Sequence, residues 1–245
     1  MNTVDILDLG QVPYKKAWDL QARIQQKLID EKRAAQKGQF NGKRRNDALL
    51  FVEHPHVYTL GKSGDISNLL HQQDELDQIE AEFVKNDRGG DITYHGPGQI
   101  VGYPILDLDR YFTDIHKYLR LLEEVIIRVC AEYSLVAGRM DKATGVWVGN
   151  SKICAMGIKC SRWVTMHGFA FNIHPQLEYF KHIIPCGISD KQVSSLNELT
   201  GREISQDEVK ERLIANFATV FDVKLNHVDT LPEIQMDEGF NQPVN

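Results

Sequence analysis

The sequence predicts an α/β (α+β) fold: a mixed, largely antiparallel sheet flanked by helices. Three segments repeat apolar residues at spacings of three and four, as expected on one face of a helix. Between them lie short apolar runs separated by glycine-containing turns, which indicate strands. Strands that follow one another through short turns favour antiparallel pairing, with helices packed against the sheet. The 245 residues contain no internal repeat or linker, so a single domain spanning 1–245 is the simplest interpretation.

Three helices are predicted from this periodicity. The first places Ala17, Leu20, Ile24 and Leu28 on one face. The second is the longest periodic run, with Ile115, Leu119, Leu122, Ile126, Val129 and Tyr133. The third begins at a capping box of Ser205 and Glu208, and continues through Val209, Leu213, Phe217 and Val220.

Strands are predicted at residues 48–52, 100–108 and 166–173, and as a hairpin joining 146–148 to 152–159 through Gly149. Pro104 cannot donate to a sheet ladder, so it predicts that the strand at 100–108 lies at an edge or contains a bulge. The C-terminal segment 222–245, with its prolines and acidic residues, is expected to be loosely packed.

The composition excludes several classes of protein. A net charge of −6 argues against a general nucleic-acid binder, and no apolar run approaches the roughly 18 residues of a membrane span. The N-terminus lacks a signal-peptide pattern, and the four cysteines form no Cys-x-x-Cys pair, so we expect a cytoplasmic protein with free thiols. Residues 32–45 carry six cations and no acid, which predicts either a solvated loop or a docking patch for an acidic partner.

The densest chemical signal is the segment 88–99, with four glycines, one proline and several polar side chains. Glycines let backbone N–H groups approach a ligand closely, so the segment predicts a binding loop. It lacks the Gly-x-Gly-x-x-Gly order of a dinucleotide site. Gly61-Lys62-Ser63 has His56 where a P-loop requires glycine, and His54-Pro55-His56 has no further metal-ligand pattern nearby.

Cys186 stands between Pro185 and Gly187, where the backbone must turn. A thiol at such a corner can act as a nucleophile beside backbone N–H groups, but a buried, inert cysteine is equally consistent with the local sequence. Cys154 is the second candidate nucleophile.

Six motifs, in order along the chain, resemble those of the octanoyltransferase family of lipoate biosynthesis. They span Glu53 to Gly61, Arg88 to Pro104, Thr144 to Val148, Lys152 to Ile158, Trp163 to Asn172 and Ile183 to Ile188. The resemblance implies a fold shared with biotin- and lipoate-protein ligases. It also implies transfer of an octanoyl group from octanoyl-acyl carrier protein to a lysine of lipoyl domains, those of 2-oxoacid dehydrogenases and of the glycine cleavage H protein.

By resemblance, Cys186 is the acyl-thioester nucleophile and Lys152 lowers its pKa. The substrate-binding residues implied are Arg88, Gly89, Gly90, Asp91, Ile92, Thr93, Tyr94, His95, Ala155, Met156, Gly157, Gly168, Phe169 and Ala170. A thioester is converted to an amide, so no cofactor or metal is expected; a monomer is the default. Three alternatives stay open: an ATP-dependent lipoate-protein ligase, a cysteine thioesterase and a non-catalytic lipoyl-domain binder.

Overall fold

The computed structural model describes residues 1–71, 73–141, 143–184 and 192–235. The strands are β1 (Asn2–Gln11), β2 (Asp47–Glu53), β3 (Val57–Leu60), β4 (Glu82–Lys85), β5 (Ile92–His95), β6 (Gln99–Ile105), β7 (Ala137–Met140), β8 (Ala143–Val148), β9 (Ser151–Ser161), β10 (Val164–Asn172), β11 (Gln192–Val193) and β12 (Val223–His227). The α-helices are α1 (Tyr14–Gln36), α2 (Gln73–Gln78), α3 (Ile115–Glu132), α4 (Leu196–Thr200), α5 (Gln206–Phe221) and α6 (Pro232–Gln235).

Two sheets organise the described part of the chain. The large sheet has the strand order β12-β1-β2-β6-β10-β9-β8-β7, and β11 adds to β9. The small sheet has the order β4-β3-β5. The pairs β1–β12, β1–β2, β9–β11 and β3–β4 are parallel, and the other pairs are antiparallel. The predicted mixed, largely antiparallel sheet is confirmed.

The three predicted helices pack on the two faces of the large sheet. The predicted face of α1 is buried with alternate residues of β2 and β6, among them Leu50 and Val101. Helices α3 and α5 bury their apolar faces against the opposite side, with Phe169 and Phe171 of β10. Because successive strand residues point to opposite faces, one strand such as β10 supplies both cores. No described helix is long and apolar enough to cross a membrane.

The prediction that Pro104 marks an edge or a bulge was wrong. β6 lies between β2 and β10, and Pro104 pairs with Leu49 in a regular register. The ladder between β6 and β10 ends at Gly102, so the missing N–H of Pro104 interrupts no ladder hydrogen bond with β10. Beyond that point the Thr165 hydroxyl donates to the Pro104 carbonyl over 2.8 Å and replaces a backbone contact.

The start of α5 was predicted correctly, but its capping box is only half formed. The Ser205 hydroxyl accepts a hydrogen bond from the Asp207 N–H at 3.2 Å. The Glu208 carboxylate instead accepts from the Tyr133 hydroxyl, at 3.0 Å, and from Arg212. The carboxylate therefore ties α5 to the end of α3 and does not cap its own helix.

The described part of the segment 222–245 is packed, contrary to the expectation of loose packing. β12 continues the large sheet by pairing in parallel with β1 over Asn2–Ile6. Leu231 and Ile234 are buried in the core beneath α1. Residues 236–245 lie outside the described ranges.

Half of the cations in the basic segment 32–45 form internal ion pairs. Lys32 Nζ lies 2.9 Å from Asp107 Oδ1, and Arg44 Nη2 lies 2.5 Å from Asp107 Oδ2. Arg45 Nε lies 2.9 Å from Glu31 Oε1. These three side chains hold the segment against the domain. Half of the positive charge on which the docking-patch interpretation rests is therefore already paired within the protein.

Candidate active site

A cavity of about 330 Å³ lies between the α1 face of the large sheet and the glycine-rich loop of the small sheet. It is lined by these residues of the predicted site: Arg88, Gly89, Gly90, Asp91, Ile92, Thr93, His95, Lys152, Ala155, Met156, Gly157, Gly168, Phe169 and Ala170. The volume is in the range of small-molecule sites. The predicted nucleophile Cys186 lies outside the described residues.

The glycine-rich loop is held in place by a turn that follows β3. The Lys62 N–H donates to the Arg88 carbonyl over 2.8 Å, and the Ser63 hydroxyl donates to the Gly90 carbonyl. A Cβ atom on Gly61 would lie 2.2 Å from the Gly90 oxygen, so only glycine permits this approach. The loop is therefore a preformed wall of the cavity.

Arg88 belongs to this wall. Its guanidinium donates to the Thr59 carbonyl at 2.6 Å, to the Thr59 hydroxyl at 3.0 Å and to the Gly89 carbonyl at 3.1 Å. Only 7% of the residue is exposed. These three contacts fasten the glycine-rich loop to β3. Arg88 therefore contributes to the shape of the cavity through bonds to the protein itself.

Tyr94 is the predicted site residue that the structure places away from the cavity. It alternates with Thr93 and His95 on β5, and its ring is buried in the small-sheet core. The ring stacks 5.0 Å from that of Tyr179, and the hydroxyl lies 2.8 Å from His56 Nδ1. Burial raises the pKa of Tyr94 well above its ordinary value. Tyr94 therefore supports the segment 177–182 and does not contact the cavity.

His95 is a buried neutral imidazole in the cavity wall. Its ring stacks 5.8 Å from that of Tyr14, at an interplanar angle of 13°. Burial lowers the pKa of His95 well below its ordinary value, and neighbouring His54 and Arg88 lower it further. At neutral pH the ring is therefore an uncharged polar group within a largely apolar cavity.

Lys152 reaches the cavity because of a β-bulge. Val146 pairs with Cys154 and Trp147 with Lys152, so β9 contains one extra residue, Ile153, at this point. The bulge places Lys152 on the face opposite to Cys154, the face that Ala155 shares. Lys152 Nζ lies 4.8 Å from the centroid of the Trp147 ring.

β11, which belongs to the segment that follows Cys186 in the sequence, pairs with β9 at Lys152. Val193 pairs with Lys152 in the parallel ladder, and the Ser194 N–H donates to the Lys152 carbonyl over 3.1 Å. The Ser194 carbonyl in turn accepts from the Asn172 side chain at 3.0 Å. Val193 therefore lies beside Lys152 and only seven residues after Cys186 in the sequence.

Cys154, the second candidate nucleophile, is part of the core on the other side of the sheet. It is fully buried, and burial raises its pKa well above the ordinary value. Burial likewise raises the pKa of Cys130, to about 12, and that of half-buried Cys160. Among the cysteines that the structure describes, none is activated as a nucleophile.

His167 lines the cavity and was missed in the sequence. Strict alternation would place it on the face opposite to Gly168 and Ala170, but its φ of +58° breaks the alternation. Nε2 lies 2.9 Å from Asp87 Oδ1, and Asp87 Oδ2 lies 2.5 Å from Lys159 Nζ. The hydrogen bond with His167 and then the pairing with Lys159 hold the pKa of Asp87 well below its usual range. No local pattern signals such a conformation.

Across the described ranges, no cluster of three or more His, Cys, Asp or Glu side chains could hold a metal ion. His54 shows why the His-Pro-His motif is structural. Its Nδ1 lies 2.6 Å from the Val12 carbonyl and its Nε2 lies 2.7 Å from the Tyr103 hydroxyl, so both nitrogens are engaged.

The combination of the two sheets and the cavity defines a class of protein. The family model described as the lipoyl protein ligase A/B catalytic domain matches residues 13–218. A solved lipoate-protein ligase A bound with ATP has the same fold, with a TM-score of 0.73, 15% identity and coverage of 99% of this chain and 97% of that chain. A putative lipoate protein ligase from T. acidophilum with bound lipoic acid has a TM-score of 0.72 at 15% identity, covering 96% of this chain and 92% of that one.

Relatives with higher sequence identity show which family within this class the chain resembles. An octanoyltransferase of Flavobacterium psychrophilum is 54% identical over 226 residues, which cover 90% of this chain and 97% of that protein. An octanoyltransferase of Cytophaga hutchinsonii is 47% identical over 232 residues, covering 92% of this chain and 95% of that protein. The chain belongs to the octanoyltransferase family.

Proposed function

We propose that this protein transfers an octanoyl group from octanoyl-acyl carrier protein to a lysine of lipoyl domains, through a thioester on Cys186. The observation that carries the proposal is the single cavity wall shared by Lys152, the glycine-rich loop and the small residues of β9 and β10. The octanoyltransferase relatives, similar over nearly their whole length, support it.

In the first step, the Cys186 thiolate attacks the carbonyl carbon of the carrier thioester. A new C–S bond forms, the bond to the carrier sulfur breaks, and the carrier leaves as a thiolate that takes up the proton of the Lys152 ammonium group, so Lys152 is left neutral for the second step. A free thiol is only a few per cent thiolate at neutral pH. A nearby ammonium group favours the charged form, so Lys152 is proposed to lower the pKa of Cys186.

In the second step, the neutral amine of the lipoyl-domain lysine attacks the acyl-cysteine. The C–N bond forms, the C–S bond to Cys186 breaks, and the proton released by the amine passes to Lys152 in its neutral form. The change from thioester to amide is downhill, so neither ATP nor a metal is required. Ala155, Gly157, Gly168 and Ala170 lack bulky side chains, which suits a wall for an alkyl chain.

The acceptors proposed are the lipoyl domains of 2-oxoacid dehydrogenases and the glycine cleavage H protein. The protein is also proposed to act as a cytoplasmic monomer. Sedimentation of the purified protein would test the monomer, and a mass consistent with a dimer would contradict it.

The proposal is tested by intact-mass analysis after mixing the protein with octanoyl-carrier protein. We expect an octanoyl adduct on Cys186 that disappears when apo lipoyl domain is added. Cys186→Ala should form no adduct and transfer no octanoyl group, and Lys152→Ala should form it slowly. Substantial transfer by Cys186→Ala would exclude the thioester.

The same assay distinguishes the alternatives. An ATP-dependent ligase would need ATP and free octanoate, and thiol alkylation would leave it active. A thioesterase would release free octanoate while lipoyl domain is present. A non-catalytic binder would retain lipoyl domain without forming either product.

A further inference from the structure

Both carboxylate oxygens of Asp91, a residue of the glycine-rich loop, accept hydrogen bonds from the protein itself. Oδ2 accepts a hydrogen bond from the Asn68 side-chain amide at 2.7 Å. Oδ1 accepts from the backbone N–H of Ile92 at 2.7 Å and of Asp65 at 3.3 Å. A Cβ atom on Gly64 would lie 2.7 Å from Oδ1, so the backbone at Gly64 is in close contact with the carboxylate.

Asn68 also contacts the segment that precedes Cys186 in the sequence. Its carbonyl accepts a hydrogen bond from the Ile184 N–H at 2.8 Å. Leu69 and Ile183 form an antiparallel bridge, and the Leu70 N–H donates to the His182 carbonyl at 2.9 Å. The loop 65–71 is therefore joined to residues 182–184 by two backbone hydrogen bonds, which together form this one bridge.

The other contacts of this segment come from the small sheet. The Tyr58 hydroxyl donates to the Tyr179 carbonyl at 2.9 Å, and the Tyr179 ring stacks 4.1 Å from that of His56. These contacts hold residues 177–182, whereas the loop 65–71 holds 182–184.

We infer that Asp91 and Asn68 are positioning residues that act as a latch: the bond between their side chains holds the loop 65–71, and with it Ile184, which precedes the proposed nucleophile by two residues in the sequence. The inference rests on the proposed function for the role of Cys186. It separates Asp91 from the loop's substrate contacts, because both carboxylate oxygens are committed to the protein. Loss of the latch should misplace the thiol while leaving the cavity wall itself intact.

A swap of the two side chains tests the latch. Asn68→Asp places two carboxylates against each other and should slow octanoyl transfer and the alkylation of Cys186 by iodoacetamide about tenfold. KM for octanoyl-carrier protein should stay within about twofold, since no substrate contact is removed. Asp91→Asn alone should be mild, because the Asn68 amide can rotate and present its oxygen.

The double variant Asn68→Asp/Asp91→Asn restores one donor and one acceptor, and should recover most of the lost rate. Asn226→Asp, which places two carboxylates against each other in the same way at the exposed Asn226–Asp5 pair of β12 and β1, is the matched control and should behave as wild type. Hydrogen exchange at the amides of Leu70 and Ile184 should accelerate in Asn68→Asp and return in the double variant.

Failure of the double variant to rescue Asn68→Asp would overturn the latch, as would a rise in KM in place of a fall in kcat. A wild-type protein that transfers no octanoyl group would instead refute the proposed function. The alkylation and hydrogen-exchange results would in that case still decide whether the bond between Asn68 and Asp91 fixes residues 182–184.

Discussion

The ammonium group of Lys152 lies over the ring of Trp147, with Nζ 4.8 Å from the ring centroid. The two residues are cross-strand partners because the bulge at Ile153 puts them on one face. A cation over an aromatic face is attracted by the ring quadrupole. Trp147 therefore helps to hold the charged group beside the cavity.

Lys152→Met keeps an unbranched side chain over Trp147 but removes the charge. We expect iodoacetamide to alkylate Cys186 roughly tenfold more slowly at pH 7, because the thiol loses the cation that favours its charged form. Mass spectrometry of the Cys186 peptide measures the rate. Lys224→Met, at an exposed position of β12, is the control, and an equal rate in both variants would contradict the assigned role.

Gly168→Ala should destabilise the fold by about 1–3 kcal/mol, as overpacking does in well-filled sites. Its Cβ atom would lie 2.1 Å from the Gly102 oxygen and 2.7 Å from Pro104 Cδ. Urea unfolding measures the loss. Gly138→Ala in β7 meets nothing within 4 Å and should change the free energy of unfolding much less. Equal effects would mean that the contact at Gly168 relaxes without cost.

Trp163→Gly should stabilise the hairpin between β9 and β10 relative to Trp163→Ala. Arg162 and Trp163 have φ values of +50° and +63°, which suit a tight hairpin turn but strain residues other than glycine. Both substitutions remove the indole, which is 40% exposed, so their difference isolates the backbone strain. Thermal unfolding should show a higher Tm for the glycine variant; a lower one would rule out strain at this position.

His54 should contribute to acid sensitivity. Burial, opposed by the Val12 carbonyl and Glu53, lowers the pKa of His54 to about 4 from an ordinary value of 6.5. The folded state therefore favours the neutral ring. Its stabilising contribution is complete above pH 6.5 and is lost as the pH falls towards 4, with a magnitude on the order of 2–3 kcal/mol.

The measurement is the free energy of unfolding of wild type and of His54→Asn between pH 7 and 4. The asparagine amide retains a donor for the Val12 carbonyl but does not titrate. We expect the difference between the two proteins to shrink as the pH falls through this window. A difference independent of pH would show that His54 is not held neutral by the fold.

Helix positions could be predicted from the sequence because helical periodicity is a local property. The face carrying Ala17, Leu20, Ile24 and Leu28 is the face that α1 buries. The hairpin around Gly149 was predicted for the same reason, since its turn and both strands are contiguous. The fold class followed from these local patterns.

The errors arose where a neighbour distant in sequence decides the outcome. Pro104 is tolerated inside the sheet because the ladder between β6 and β10 ends at Gly102, and the hydroxyl of Thr165, 61 residues later, donates to the Pro104 carbonyl. Tyr94 points away from the cavity because it alternates with Thr93 and His95 on β5, and its ring stacks on that of Tyr179. Which face of β5 meets the cavity depends on such distant partners and has no signature within the segment.

The candidate site was predictable in part. The glycine-rich loop and the motif around Gly168 stand out by composition, and both line the cavity. His167 was missed because its side chain reaches the cavity through a positive φ, and Tyr14 because it begins a helix whose other buried residues form core. The role of Lys152 depends on a bulge that strand periodicity alone does not indicate.

The parallel pairing of β12 with β1 has a consequence for how the chain can be shortened. β1 is ten residues long, and β12 covers its outer side from Asn2 to Ile6. A chain ending at Asp222 would expose those unpaired N–H and C=O groups as a template for another copy. Truncation there should therefore first appear as self-association, before any loss of the cavity, whose lining residues belong to other elements.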